Sequence, residues 1–144
     1  LKYHKSFIAG EVLADFLCQI IREKHLSIDY ICYVPISKKS LKKRGFNQCR
    51  VLAKNMSIDL NIPIIDCLVK VKETKEQKLL GKEERAKNIL NAFTIKNKEK
   101  LFRKNILLID DVYTTGATIN ECKKSIEKCN INKIYLLTIA KSNI

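Results

Sequence analysis

Two adjacent carboxylates and a group of small hydroxyl-bearing residues stand together in the second half of the chain. Asp110 and Asp111 directly follow the apolar run 106–109, and a short segment of small residues comes next: Thr114, Thr115, Gly116, Ala117 and Thr118. Carboxylates accept hydrogen bonds from sugar hydroxyls and help to hold Mg²⁺. Backbone amides at a helix start attract a phosphate group. The segment therefore predicts a site for a phosphorylated sugar such as ribose 5-phosphate.

The elements around this segment would place it at the edge of a sheet. The run 106–109 is typical of a strand buried on both faces, and the spacing of apolar residues predicts a helix over 117–129. Ligands of open parallel sheets bind at the carboxyl ends of the strands. Successive strand residues point to opposite sides, so at least one of the two aspartates should face the ligand crevice. A capped helix after a core strand, with no ligand, is the alternative interpretation.

Strands and helices alternate along the rest of the chain. We predict a helix over 7–21 that Ser6 caps, a strand over 30–35, a basic loop over 37–44, a helix over 46–60, a strand over 64–71, a mobile loop over 72–82, a helix over 82–90, and strands over 92–95 and 134–140. This alternation indicates an α/β protein with an open, mainly parallel sheet flanked by helices on both sides. Residues 1–144 are expected to form a single domain.

Composition excludes some classes of protein and favours others. The chain has 144 residues, of which 46% are hydrophobic, enough to fill one core. It contains neither an apolar stretch of about 20 residues nor a signal peptide, so we expect a cytoplasmic protein. The net charge of +13 indicates a polyanionic partner, although a genome rich in A and T also enriches lysine, isoleucine and asparagine. Because the chain begins at Leu1, we interpret it as part of a longer one.

The six cysteines give little indication of a metal site. None is arranged as a CxxC pair, which is typical of structural zinc sites, and each falls in an apolar segment. We therefore predict free, buried thiols in a reducing compartment. His4 and His25 lie far apart and have no adjacent ligand, so no metal site made of protein side chains is predicted.

The thirteen residues 106–118, ILLIDDVYTTGAT, resemble the phosphoribosyl-diphosphate-binding signature of type I phosphoribosyltransferases. Two further groups of segments resemble the ComF (competence protein F) family. The first is YVPIS at 33–37 with the basic residues that follow and RGFNQ at 44–48. The second is KVKETKEQ at 70–77, followed by Glu84, Arg85 and residues 88–93. The resemblance covers nearly the whole chain and implies a type I phosphoribosyltransferase-like fold with a reduced hood.

The resemblance also implies roles for particular residues. Asp110 and Asp111 would hold the ribose hydroxyls, and residues 114–118 would hold the 5-phosphate. The pyrophosphate group, with its Mg²⁺, would be bound by Ser37, Lys38 and Lys39. The flexible loop that closes over the site, with its flank, would contribute Lys70, Lys72, Thr74, Gln77 and Arg85. Relatives commonly carry arginine where this chain has Lys70 and Lys72, so the bidentate contacts of an arginine are lost there.

Three functions follow from the resemblance. The first is transfer of a phosphoribosyl group from phosphoribosyl diphosphate to an acceptor that the sequence does not identify, with release of pyrophosphate. The second is a competence factor for DNA uptake that binds single-stranded DNA or a helicase. The third is a sensor that binds phosphoribosyl diphosphate without turnover. Relatives also suggest a possible homodimer and an N-terminal zinc module, and no cysteine pairs for that module occur in this sequence, so no zinc is expected.

Overall fold

The computed structural model describes residues 2–71, 81–113 and 116–141, which form an α/β fold. The helices are α1 (Lys2–Glu23), α2 (Lys38–Arg44), α3 (Gln48–Leu60), α4 (Lys82–Ile89) and α5 (Ala117–Glu127), and a 3₁₀ turn spans Lys98–Leu101. The strands are β1 (Tyr30–Tyr33), β2 (Leu68–Lys70), β3 (Phe93–Ile95), β4 (Asn105–Tyr113) and β5 (Lys133–Lys141). None of the helices in these ranges combines the length and apolar character needed to cross a bilayer.

The main sheet is parallel, as the sequence predicts. Its strand order is β1-β4-β5, so β4 is the central strand. The register pairs Tyr33 with Ile109 on one side of β4 and Leu108 with Leu136 on the other. Beyond β1, a parallel bridge joins Ile31 to Ile64, and β2 and β3 form a separate antiparallel pair.

Helices cover both faces of the sheet, which confirms the predicted layers. Alternate residues of β4 enter two different cores, because side chains of a strand point to opposite faces. Ile106 and Leu108 pack in one core with residues of α5 and of the β2–β3 pair. Leu107 and Ile109 pack in the other core with residues of α1 and α3. These four β4 side chains are at most 2% exposed, so β4 is the buried centre of the protein.

Two predictions at helix ends are wrong. Helix α1 begins at Lys2, so Ser6 lies within the helix and does not cap it. The predicted basic loop over 37–44 is instead the helix α2. Ser37 caps this helix, because its Oγ accepts a hydrogen bond from the Ser40 amide at 3.1 Å. Gly45 ends it with a φ of 85°, a left-handed conformation that glycine adopts at little cost.

Two strand predictions have different bounds in the structure. The predicted strand 64–71 divides into the single bridge at Ile64 and the strand β2, which pairs with β3 and not with the main sheet. The predicted strand 106–109 extends to Tyr113, so both aspartates belong to β4 itself. Of the predicted mobile loop over 72–82, residues 72–80 lie outside the described part of the chain.

All six cysteines are free and buried, which confirms that prediction. Cys32 and Cys67 lie side by side, with their Sγ atoms 3.4 Å apart. The hydrogen bond between them, together with burial, raises the pKa of the Cys32 thiol well above its usual value. Burial likewise raises the pKa of Cys18 to about 12. The thiols of Cys32 and Cys18 therefore stay protonated at neutral pH and pack as small apolar side chains.

Candidate functional site

The carboxyl ends of β1 and β4 lie next to each other. Tyr33 pairs with Ile109, and the Val34 amide then donates a hydrogen bond to the Ile109 carbonyl at 2.9 Å. The segment that leaves β1 therefore starts beside Asp110, the next residue of β4. This adjacency brings together two parts of the sequence that were predicted separately to bind pyrophosphate and ribose.

The buried polar side chains of the described residues belong to this edge of the sheet. They are Ser37, Asn47 and Asp110, which are 6%, 8% and 7% exposed. Burial of a polar group costs free energy unless hydrogen bonds compensate, so such groups are usually confined to positions where the structure or a ligand uses them. Their concentration at one edge marks that edge as the candidate site.

Asn47 and Cys49 connect the segment after β1 to the end of β4. Asn47 caps α3, and its Oδ1 accepts a hydrogen bond from the Cys49 amide at 3.0 Å. Its Nδ2 donates to the Val34 carbonyl at 3.2 Å. The Cys49 thiol in turn donates to Oδ1 of Asp110 at 3.8 Å. The first turn of α3 thus contacts both strand ends.

Asp110 also acts on α5, which packs on the face of the sheet that Ile106 and Leu108 share. The pKa of the Cys122 thiol on α5 lies well above its usual value, chiefly because of burial and then because of the nearby carboxylates of Asp110 and Glu121. Lys70 acts in the opposite direction on the same thiol. The charges of Asp110 and of the half-buried Lys70 of β2 therefore act on the Cys122 thiol in opposite directions.

Gly116 provides the entry to α5. It is buried and has a φ of 81°, in the left-handed region, and as a glycine it has no side chain with which to cap the helix. The positive end of a helix dipole favours an anion near such a helix start. Ala117 and Thr118 form the first turn of α5 and are half-buried. Thr114 and Thr115, predicted to join them, lie outside the described residues.

The basic residues predicted to bind pyrophosphate lie on a helix. Lys38 and Lys39 form the first turn of α2, and both are exposed. Ser37 differs from them because its Oγ is occupied by hydrogen bonds to the amide and hydroxyl of Ser40. Five of the seven residues of α2 are basic and none is acidic, so this helix forms a cationic surface beside the strand ends.

The structure describes the predicted flexible-loop residues only in part. Lys70 ends β2, and Arg85 belongs to α4, although the Arg85 side chain is outside the described part. Lys72, Thr74 and Gln77 also lie outside it. The structure describes only the backbone of Asp111, which continues β4. The roles of all these residues stay predictions.

Sequence reasoning missed Asn47 and Cys49 as parts of this arrangement. An asparagine followed by a helix is a capping signal that the sequence does carry. The contact between Cys49 and Asp110 joins residues 61 positions apart, and it exists only because α3 packs beside β4.

A separate cleft of about 500 Å³ lies away from this site. Its lining belongs to the 3₁₀ turn, the residue after it and the end of α5: Lys98, Glu99, Phe102, Lys128, Cys129 and Asn130. These residues precede β4 or follow α5, so the cleft belongs to the opposite edge of the sheet. It contains none of the predicted site residues.

Comparisons with curated proteins identify bacterial relatives along most of the chain. Competence protein F of Haemophilus influenzae is 31% identical over 98% of this chain and 65% of its own length. Competence protein ComFC of Streptococcus pneumoniae is 31% identical over 97% of this chain and 60% of its own length. The chain therefore spans somewhat less than two thirds of the curated relatives that it matches. No family model matches it.

Solved structures show the same fold at low sequence identity. An adenine phosphoribosyltransferase superposes with a TM-score of 0.65 and 13% identity, over 93% of this chain and 70% of its own. The adenine phosphoribosyltransferase of Leishmania tarentolae also superposes with a TM-score of 0.65. It is 18% identical over 92% of this chain and 57% of its own. The predicted type I phosphoribosyltransferase-like fold is confirmed.

Proposed function

Because the chain is similar to competence proteins F and ComFC along most of its length and has the fold of type I phosphoribosyltransferases, we propose that it binds phosphoribosyl diphosphate at the carboxyl edge of its main sheet. One observation carries this proposal. The buried carboxylate of Asp110 lies near the carboxyl end of the central strand, and the start of α5 follows a few residues later at Gly116. A carboxylate for hydroxyl groups and a helix start for a phosphate suit the two ends of ribose 5-phosphate.

Each part of the ligand has a proposed partner. Asp110 and Asp111 accept hydrogen bonds from the ribose hydroxyls, and residues 114–118 surround the 5-phosphate. Lys38 and Lys39, exposed on the first turn of α2, supply positive charge for the diphosphate. Lys70 approaches from β2, and the predicted loop residues close the site from solvent.

Magnesium fits this donor set as a companion of the diphosphate. In the described residues no group of three or more acidic, histidine or cysteine side chains could hold a metal. Mg²⁺ commonly takes one or two protein carboxylates and completes its coordination with substrate phosphates and water. Asp110 and Asp111 are hard oxygen donors of the required kind. When bound, the ion would neutralise the charge of the departing pyrophosphate.

The reaction that this site would support is displacement at the anomeric carbon of the ribose. An acceptor atom forms the new bond to that carbon, and pyrophosphate leaves with the electron pair of the broken carbon–oxygen bond. Positive charge develops on the ribose in the transition state, and the carboxylate of Asp110 would stabilise it. The relatives are named competence proteins, which supports the proposal that this activity serves competence, the uptake of DNA.

Calorimetric titration of the wild-type chain with phosphoribosyl diphosphate, with and without Mg²⁺, tests the proposed function. We expect saturable one-to-one binding that Mg²⁺ strengthens. Ribose 5-phosphate alone should bind more weakly, because it lacks the diphosphate. No heat of binding to a folded protein would contradict the proposal. Binding without pyrophosphate release for any acceptor would favour a sensor over an enzyme.

The basic helix α2 favours a second candidate function, the binding of single-stranded DNA. Its exposed cations include Lys42 and Lys43, and the whole chain carries a net charge of +13. For each phosphate contact, the logarithm of the affinity for single-stranded DNA falls by about 0.7 for every tenfold rise in salt concentration.

We expect Lys42→Glu/Lys43→Glu to reduce the slope of this salt dependence. The control Lys100→Glu/Lys104→Glu places the same charges near the opposite edge and should leave the slope unchanged, whereas equal slopes for both variants would count against α2.

A further inference from the structure

We propose that Asn47 and Cys49 are positioning residues that hold the two halves of the candidate site at a fixed spacing. One half is the segment after β1, which leads to Lys38 and Lys39, and the other is Asp110. The inference rests on the proposed function for its ligand, but its geometry is independent of that function. Neither residue is assigned a contact with the ligand.

Asn47 performs two tasks that other capping residues could not combine. Its Oδ1 caps α3 through the Cys49 amide, and its Nδ2 donates to the Val34 carbonyl at 3.2 Å. Serine and aspartate cap helices as well as asparagine does, but they offer no amide group for the second bond. Because Asn47 is only 8% exposed, water is poorly placed to replace that bond. The side chain therefore fixes the exit of β1 to the start of α3.

Cys49 continues the connection from α3 to β4. Its thiol lies 3.8 Å from Oδ1 of Asp110, and the cysteine is 3% exposed. The contact occurs in the first turn of α3, where the helix dipole favours a negative charge. The thiol and the helix start thus favour one position of the carboxylate. From Val34 through Asn47, α3 and Cys49 to Asp110, the contacts form a series.

The contacts from Val34 to Asp110 should strengthen the binding of a ligand that contacts both halves of the candidate site. Phosphoribosyl diphosphate carries its hydroxyl groups and its diphosphate on one rigid sugar, so both binding elements must be correctly spaced at the same time. A protein that holds them in place beforehand avoids the entropic cost of ordering them on binding. Since the contacts act in series, loss of either one should release the same constraint.

A double-mutant cycle measured by titration with phosphoribosyl diphosphate and Mg²⁺ tests the series. We expect Asn47→Ser, which keeps the cap, and Cys49→Ala each to weaken binding by about tenfold, the scale of one hydrogen bond to a charged or buried group. The double variant should also lose about tenfold, because contacts in series are not additive. Cys49→Ser should recover part of the affinity, since its hydroxyl can still donate. A loss of about a hundredfold in the double variant would mean independent structural effects and would overturn the inference.

Cys18→Ala is the matched control. Cys18 is a fully buried thiol that contacts the Met56 carbonyl, about 10 Å further along α3 from Cys49. This variant removes the same sulfur from the same core and should bind as the wild type does. Equal weakening by Cys18→Ala would show that general loosening, and not positioning, causes the effect.

Amide hydrogen exchange keeps the inference testable if the wild-type chain binds no phosphoribosyl diphosphate, in which case the proposed function fails. The Val34 amide bonds to the Ile109 carbonyl at the junction of the two halves. Exchange of this amide should accelerate in Asn47→Ser and in Cys49→Ala but not in Cys18→Ala. Unchanged exchange in the first two variants would overturn the positioning role.

Discussion

Asp110→Asn is expected to weaken the binding of phosphoribosyl diphosphate by about a hundredfold, while the chain still folds. The carboxylate is buried near the carboxyl end of the central strand. A charged acceptor forms hydrogen bonds to hydroxyl groups that contribute about 1.5–3 kcal/mol each. Asparagine has nearly the same shape but replaces one acceptor oxygen with a donor and removes the charge that would attract Mg²⁺. Titration calorimetry gives the affinity, and circular dichroism verifies the fold.

Asp29→Asn is a matched control for this prediction. Asp29 lies near the other end of β4, where its Oδ2 accepts a hydrogen bond from the Asn105 amide at 2.8 Å. The substitution removes one negative charge next to the same strand but far from the candidate site. The Asp29→Asn variant should bind phosphoribosyl diphosphate with the affinity of the wild type. If Asp110→Asn also bound normally and kept its response to Mg²⁺, Asp110 would have no role in ligand binding.

The second large effect concerns stability. Leu108→Ala should lower the free energy of unfolding by about 3 kcal/mol, because truncation of a fully buried leucine loses apolar burial and leaves a cavity. Leu108 is completely buried in β4. Its register partner Leu136 in β5 is 41% exposed, so Leu136→Ala removes the same atoms from a partly hydrated position. We expect that change to cost less than about 1 kcal/mol.

Urea unfolding followed by circular dichroism measures both variants under the same conditions. The comparison is direct, because the two leucines lie side by side on neighbouring parallel strands and differ mainly in burial. Similar losses for the two would mean that β5 is covered by something absent from the described residues. A small loss for Leu108→Ala would contradict the assignment of β4 as the central buried strand.

The strands and helices with strong apolar patterns could be predicted from the sequence. The run 106–109 and the helix after Gly116 are examples, because burial on both faces and helical spacing leave clear signals in a sequence. The helix α2 was missed for a physical reason. Its residues have no apolar periodicity and none is buried, so it depends on local capping by Ser37 and Gly45. A short helix of this kind gives no hydrophobic pattern.

The candidate site could be predicted where its residues are close in sequence. Asp110 and Gly116 belong to one motif. A strand that leads directly into a helix brings both residues to the same edge of the sheet. The contact of Cys49 with Asp110 could not be predicted in the same way, because it depends on which helix packs beside which strand. Likewise, a sequence shows that Asn47 can cap a helix but not that its amide group reaches Val34.

The pairing of β1 with β4 has a consequence for how the protein acquires its site. These neighbours are distant along the chain, and the hydrogen bond at their start joins residues 76 positions apart. Contacts between residues so far apart in the sequence form slowly, because the intervening chain loses conformational entropy before the contacts compensate for that loss. During synthesis, the first half of the chain can form α1, α3 and the single bridge between Ile31 and Ile64, but it lacks β4, the strand that pairs with β1 along its length. The candidate site therefore arises only when the central strand has been made, so a nascent chain that lacks β4 cannot compete for the ligand.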